Sequence, residues 1–493
     1  MSKVRVRFAP SPTGWLHIGG LRTALYCYLF AKQNDGDYLL RIEDTDRTRL
    51  VEGAIENLYD SLKWAGIENN EGVKIEEGKV VQIGECGPYI QSERLDIYRK
   101  YVDQLLESGH AYYCFCTKER LDEVREKQKA NGEDPKYDGH CRDISLDEAR
   151  KRIEAGEDYV VRLKLPENKD ITFHDLVRGE ITINTNDIDD QVLLKTDGFP
   201  TYHMAVVVDD HLMGITHVVR GEEWMTSAPK HVYLYEALGW KAAEFVHLPT
   251  VLNKEKKKLS KRHGDVAVGD FKKKGYLPEA LVNYLALVGW SPEGNQEIFS
   301  MSELIESFSF DRVSRTGGVF DNNKLDWMNA HYIREADISY LSKLCAPYLV
   351  EAGYIKAEEI ESKQEWIESM VESVRKRMSY LSQIGDLAEV FFNDNVEMED
   401  EQTAEMLKGE QVPALFEAFR SELSEIDEVD KEFAGTVFKK IQKATGIKGK
   451  NLFMPLRALL TGQLHGPELV DVLFVLGKDK ILNRMKYVEE NIM

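Results

Sequence analysis

No stretch of this 493-residue chain approaches the roughly 18 consecutive apolar residues that cross a bilayer, so no membrane-spanning role is expected. The opening residues, MSKVRVRFAPSP, lack an apolar export core and run straight into a strand pattern, so a cytoplasmic protein without a membrane partner is expected. Basic charge is also in deficit, with 64 Lys and Arg against 85 Asp and Glu, for a formal net charge of -21. A protein that coats nucleic acid by neutralising phosphates needs the opposite balance. Specific RNA contact then requires local basic clusters. Two exist: Lys254 to Arg262, and Thr436 to Leu460, where five lysines and one arginine occur without an acid. Cysteine is scarce. Six residues (Cys27, Cys86, Cys114, Cys116, Cys141 and Cys345) make no disulfide framework, and the gathering of three in one segment points to metal binding in a reducing compartment. Neither a P-loop signature nor a GxGxxG run occurs, which removes the commonest nucleotide-binding folds.

What is present reads as several structural units, since one ordinary core does not fill this length. Val4 to Ala9 alternates as a strand, Pro10 to Gly14 breaks it, and Leu21 to Lys32 has helical spacing. A second strand, Tyr38 to Glu43, ends in the acidic run to Asp46, and a helix follows over Gly53 to Ala65. Such strand-helix-strand spacing implies a right-handed parallel crossover with ligands at the carboxyl ends of the strands. The run Tyr202 to Val208 reads as a buried strand closed by Asp209 and Asp210, and Thr216 to Arg220 as another. Beyond about residue 275 amphipathic helices dominate, among them Ile338 to Glu351 and Gln364 to Ile384. The expected architecture is a Rossmann-like α/β parallel-sheet catalytic domain in two halves, 1–110 and 191–270, with an inserted α+β module at 111–190. A helical region at 271–335 and an all-α region at 336–493 complete it.

Two segments carry chemistry. In Arg7 to Gly20 a strand ends, two prolines and a glycine turn the loop, and His17 falls at a helix start beside Gly19 and Gly20. A helix N-terminus offers N–H groups and partial positive charge to a phosphate, and glycines let a nucleotide approach the backbone. The second is Lys258-Leu259-Ser260-Lys261-Arg262, a polar, cationic loop able to neutralise charge on a departing pyrophosphate.

Together, His17-Ile18-Gly19-Gly20 and Lys258-Leu259-Ser260-Lys261-Arg262, in this order and about 240 residues apart, resemble the two hallmarks of class I aminoacyl-tRNA synthetases. The wider text, RFAPSPTG, RIEDTD, YHMAVVVDDHLMGITHVVRGEEW and KKLSKR, is similar to the bacterial-type glutamyl-tRNA synthetases over essentially the whole chain. Gly20 departs from the histidine many class I enzymes carry there, so a second imidazole plays no expected part. The resemblance implies catalysis by His17, Lys258 and Lys261, with ATP and Mg2+ held by these and by Gly19, Gly20, Leu259, Ser260 and Arg262. It implies a glutamate pocket of Arg7, Ala9, Ser11, Glu43, Tyr202 and Arg220, with Glu43 on the α-ammonium group and Trp224 near the nucleotide or acceptor end. It also implies that 111–190 meets the acceptor end, 271–335 the stem and 336–493 the anticodon of tRNA(Glu), that tRNA is bound before the first step, and that the enzyme is a monomer. A glutaminyl enzyme is disfavoured by the all-α tail, a shorter tRNA-modifying relative by its length, and an inactive RNA-binding paralogue by the intact hallmarks.

The residues support glutamate on physical grounds too. A guanidinium is a cation that does not lose its proton, and Arg7 and Arg220, each at the end of an inner strand, suit two-point carboxylate pairing. One such pair at about 4 Å and an effective dielectric near 20 contributes on the order of 4 kcal/mol before desolvation, which separates glutamate from its near-isosteric amide. In the insertion, Cys114, Cys116 and Cys141 supply three ligands for a structural Zn2+, with Tyr137 or Asp143 as the fourth. Arg377, expected on a helix, aligns with an arginine that reads the last anticodon base in some relatives.

Overall fold

The computed structural model describes residues 3–260, 265–393 and 395–493. Contacts divide the chain into two compact units: one comprises residues up to Phe271 with Leu281–Asp321, the other Lys272–Ala280 with Asn322–Met493.

The first unit is built on an eight-stranded sheet. Its strands are β1 (Arg5–Phe8), β2 (Asp37–Leu40), β3 (Glu71–Glu76) and β4 (Lys79–Ile83), then, later in the chain, β7 (Asp170–Asp175), β8 (Gly179–Asn184), β10 (His217–Gly221) and β11 (Glu244–Leu248). The intervening β5 (Ala111–Cys114), β6 (Val160–Leu163) and β9 (Val192–Leu194) form a separate antiparallel sheet in the order β5-β6-β9. The large sheet runs β4-β3-β2-β1-β10-β11-β7-β8, parallel from β3 to β7 with an antiparallel hairpin at each edge. The inner strands are buried apart from end residues such as Arg5, His217 and Glu244, as a sheet covered on both faces requires. Where β2 meets β3, Gly72 has φ 113° and an added Cβ would run into the Leu40 carbonyl, so only glycine permits this register.

Helices α1 (Ile18–Gln33), α2 (Ala54–Trp64), α3 (Leu95–Glu107), α4 (Lys118–Ala130), α5 (Leu146–Glu154), α6 (Tyr202–Leu212) and α7 (Ala228–Ala237) accompany these strands. The expected strand at Tyr202 to Val208 is instead the first part of α6. This helix is buried from Met204 to Asp210, so its apolar residues show no one-sided period and the run looks like a central strand. Segment 111–190 is shared between two sheets. The hairpin β7–β8 extends the large sheet beyond β11, while β5, β6 and β9 pack with α3, α6 and α7 in one apolar core containing Tyr98, Val102, Val161, Leu193, Val206 and Leu234.

The second unit is helical. Its helices include Ile338–Glu351, Gln364–Val374, Val412–Ser424, Lys431–Thr445, Lys450–Thr461 and Leu469–Asn491, the last interrupted at Gly477, whose φ of 72° leaves the helical region. Apolar faces meet in a core that includes Leu349, Met370, Phe416, Val437, Leu456 and Met485. Asp337 and Asp430 cap their helices by accepting the Tyr340 and Phe433 N–H groups at 3.0 and 2.7 Å. The expected helix Gln364 to Ile384 stops at Val374, and Arg375–Arg377 form a tighter 3-10 turn.

Candidate functional site

The chain reverses at Pro10 to Gly14 after β1 and re-enters α1 through His17, which has extended backbone angles. The Ile18 N–H is taken by the Val266 carbonyl at 2.9 Å, and the His17 carbonyl accepts the Leu21 N–H at 2.9 Å. Gly19 and Gly20 lie between. Their N–H groups have no carbonyl four residues back in the helix, and both residues line a cavity of about 610 Å3. An added Cβ at Gly19 meets nothing within 4 Å, so the missing side chain leaves room there. Across the same cavity lie Lys258, Leu259 and Ser260. They follow a tight turn in which Asn253 accepts the Lys257 N–H on its side chain at 2.8 Å and donates its own N–H to the Lys257 carbonyl at 2.8 Å. Leu259 N–H bonds the Val251 carbonyl at 3.0 Å, so the hallmark leaves the turn in extended form. Lys261 and Arg262 lie outside the described residues.

A second cavity, of about 780 Å3, adjoins the first, and Thr23 and Gly221 line both. Its walls include Arg7, Ala9, Ser11, Glu43, Tyr202, Arg220 and Trp224. The structure thus brings the expected glutamate-pocket residues together beside the N-terminus of α1. Tyr202 and Trp224 pack with ring centroids 4.1 Å apart and their planes tilted by 36°.

The two arginines differ in how their charge is met. Arg7 donates from Nε and Nη2 to the two oxygens of Asp210 at 2.9 and 3.1 Å, and from Nη1 to the Val219 carbonyl at 3.1 Å. Arg41 donates to Asp210 at 2.7 Å and to Glu43 at 3.0 Å, and Arg94 donates to Asp209 at 2.7 Å. Asp210 therefore meets Arg7 and Arg41, while Asp209, turned about 100° away on α6, meets Arg94 and, at 3.7 Å, Arg41 as well. Burial pushes the Glu43 carboxyl above the usual range against the pull of Arg41 and Arg7. Asp210 stays below it: burial opposes this, but Arg7 and Arg41 outweigh it. Arg220 has no carboxylate within ion-pair distance among the described residues. Its Nε donates to His247 Nε2 at 3.0 Å, Nη1 to Tyr202 Oη at 3.1 Å and to His231 Nδ1 at 3.0 Å, and Nη2 to the Trp224 carbonyl at 3.3 Å.

Sequence reasoning missed Arg41, Asp175, Asp209, Asp210, His203, His231 and His247 as parts of this site. Asp209-Asp210 was visible as an acidic pair closing an apolar run, but the run was read as strand, which hides the arginines each acid faces. No local pattern marks the histidines.

Away from the cavities, Cys114, Cys116 and Cys141 bring their sulfurs within 4.8 Å of one another. Tyr137 Oη lies 3.4 Å from Cys114 Sγ and 3.7 Å from Cys116 Sγ. Asp143 instead projects into solvent, 97% exposed, with its carboxylate 4.0 Å from Lys164 Nζ. A hydrogen bond from Cys141, opposed by burial, lowers the Cys114 thiol, and the same bond together with burial raises the Cys141 thiol. Three soft sulfurs at these spacings form a group able to hold a metal ion.

In the helical unit, Arg377 is exposed on its turn beside a cavity of about 250 Å3 and approaches Gln463 Oε1 at 3.5 Å. No helix among the described residues is long and apolar enough to cross a membrane.

Comparison with known proteins agrees with this geometry. Residues 3–327 match the catalytic domain of tRNA synthetases class I (E and Q), and residues 340–488 match an anticodon binding domain. A glutamate–tRNA ligase of Clostridioides difficile is 60% identical over 491 residues, covering 99% of this chain and all of the relative. One from Alkaliphilus metalliredigens is 58% identical over 493 residues, covering both chains in full. A crystal structure of a glutamate tRNA ligase from Elizabethkingia meningosepticum in complex with its amino acid superposes with a TM-score of 0.85 at 37% identity, covering both chains completely. With one cavity lined by both hallmarks and adjoining a second, and full-length likeness of this degree, the chain belongs to the glutamate–tRNA ligase family of class I tRNA synthetases.

Proposed function

We propose that the chain activates L-glutamate with ATP and transfers it to the terminal adenosine of tRNA(Glu), releasing pyrophosphate and AMP. The observation that carries this reading is that a cationic amino-acid cavity and a phosphate-suited cavity share the wall formed by Thr23 and Gly221. ATP lies in the first cavity with its phosphates toward the N–H groups of Gly19 and Gly20, and His17, Lys258, Ser260, Lys261 and Arg262 serve the same triphosphate. Mg2+ enters with ATP and neutralises part of its charge; Glu223 is the carboxylate lining that cavity among the described residues.

Glutamate occupies the second cavity. Arg220 takes the side-chain carboxylate, assisted by Tyr202 and by N–H groups of Arg7 not engaged by Asp210 or Val219; Glu43 holds the α-ammonium, and Ala9 and Ser11 line the floor. The α-carboxylate then attacks the α-phosphorus across the shared wall, the bond to pyrophosphate breaks, and Lys258 and Lys261 stabilise the leaving charge. The tRNA hydroxyl attacks the mixed anhydride in the second step. Positioning and electrostatics do this work without a dedicated protein base.

Cys114, Cys116, Cys141 and Tyr137 hold a structural Zn2+, a fit that a reducing cytoplasm preserves. Arg377 contacts the anticodon, and the functional enzyme is a monomer. Charging assays with purified tRNA for glutamate and for glutamine, each offered both amino acids, test the reading. Glutamate on its own tRNA should be the efficient pair; failure of ATP–pyrophosphate exchange with glutamate and tRNA present would refute it.

A further inference from the structure

Of the arginines lining the amino-acid cavity, Arg7 and Arg49 are paired with carboxylates and, among the described residues, Arg220 is not. Arg7 shares Asp210 with Arg41. Arg220, 5% exposed, is held by a phenol, a backbone carbonyl and two imidazoles. Behind it the imidazoles form a chain. His247 Nδ1 lies 2.7 Å from Asp175 Oδ2, and His231 Nε2 lies 3.0 Å from His203 Nδ1.

A guanidinium only donates, so the atoms it meets must be lone pairs: Nε2 of His247 and Nδ1 of His231. Each ring then has its proton on the other nitrogen. His247 gives Nδ1–H to Asp175, and His231 gives Nε2–H to Nδ1 of His203, which must carry its own proton on Nε2. Adding a proton to His231 or His247 would aim N–H at N–H. Both rings are buried, at 2% and 0% exposure, and burial with the nearby Arg220 charge pushes both below the ordinary histidine value. The Asp175 carboxylate is kept from the guanidinium by the His247 ring and is occupied by the N–H groups of Val177, Arg178 and His247.

We propose that His203, His231 and His247 are positioning residues for substrate discrimination: as a chain of neutral acceptors they fix the Arg220 guanidinium while leaving its charge uncompensated for the side-chain carboxylate of the amino acid. This rests on Arg220 contacting that carboxylate. A carboxylate in the place of either imidazole would orient Arg220 equally well, but it would cancel the charge that separates an acid from its amide. Neutral rings orient without cancelling.

The test compares His231→Gln, which keeps a neutral acceptor, with His231→Glu, which supplies a competing anion, in tRNA-dependent pyrophosphate exchange by the full chain. The readout is the ratio of Ki for glutamine to KM for glutamate. His231→Glu should lower this ratio by at least about tenfold, with the KM for ATP unchanged, and His231→Gln by less than about threefold. Equal effects of the two variants would overturn the proposal, since a purely structural role predicts no dependence on charge. Arg220→Lys separates this from the underlying reading: if that variant leaves the KM for glutamate unchanged, the assignment of Arg220 itself fails. Should His231→Glu not fold, nitrogen-15 spectra of the histidine rings in the unaltered protein decide. Neutral rings with Nδ1–H on His247 and Nε2–H on His231 are expected near neutral pH, and a charged ring at either position overturns the proposal.

Discussion

Arg7 and Asp210, 203 residues apart, meet through two parallel hydrogen bonds of 2.9 and 3.1 Å with neither side chain more than 3% exposed. Arg41 reaches the same carboxylate at 2.7 Å, so one buried anion ties the first two strands of the sheet to α6. Deleting it strands the Arg7 cation away from water and leaves Arg41 with Glu43 and Asp209. Asp210→Ala is expected to cost about 3–5 kcal/mol, the usual cost of orphaning a buried charge. Chemical denaturation checks this; a loss below about 1 kcal/mol would show that water or another acid takes over.

The nucleotide cavity yields a contrast between two kinds of change. Gly19→Val puts bulk into space that is open above the helix end and should raise the KM for ATP by at least about tenfold while leaving the Kd for tRNA unaltered. Lys258→Ala removes the cation proposed to meet departing charge and should slow single-turnover adenylate formation by at least about tenfold with less change in ATP affinity. Identical effects of both variants on KM and rate would contradict the division between nucleotide seating and charge stabilisation.

Protein purified without chelator should contain about one zinc per chain by elemental analysis. Cys141→Ser should abolish the signal, Tyr137→Phe should weaken retention during dialysis against a chelator, and Asp143→Ala should change neither. Retention that depends on Asp143 and not on Tyr137 would reverse the ligand assignment.

Stability should fall on mild acidification because of the histidine shell. Burial first, then nearby positive charge, holds His203 down at about 4, and His231 and His247 also lie below the ordinary value of 6.5. Above about 6.5 the rings are neutral both folded and unfolded, so their contribution is fully present. Below that value the unfolded chain takes up protons the native rings refuse, and stability is lost progressively toward about 4, at most about 1.4 kcal/mol per pH unit for each ring. Unfolding midpoints measured between pH 7 and 4 test the slope, and His203→Gln should flatten it by about one proton.

Much of this was legible in one dimension. The turn from Arg7 to Gly20 announces itself because backbone chemistry at a helix start needs particular residues at fixed spacing, and the hallmark ending at Arg262 because its cations cluster in one short run. Cys114, Cys116 and Cys141 do so because thiols are rare and metal geometry limits their separation. The amphipathic helices of the second unit were readable because each keeps one wet face. The strand wrongly expected over Tyr202 to Val208 shows the limit of such reading, since an element buried on every side has no polar face to reveal its period.

The charge state of the amino-acid cavity was decided only by the fold. Arg7 and Arg220 look equivalent in the chain, each near the end of an inner strand, and nothing local distinguishes a compensated cation from an open one. That difference arises when α6 brings Asp210 to Arg7, while β11 and α7 bring His247 and His231 to Arg220. Residue identity determined that guanidinium groups would be available; tertiary packing determined which kept its charge for a ligand, because electrostatic compensation depends on distance in space and not on position along the chain.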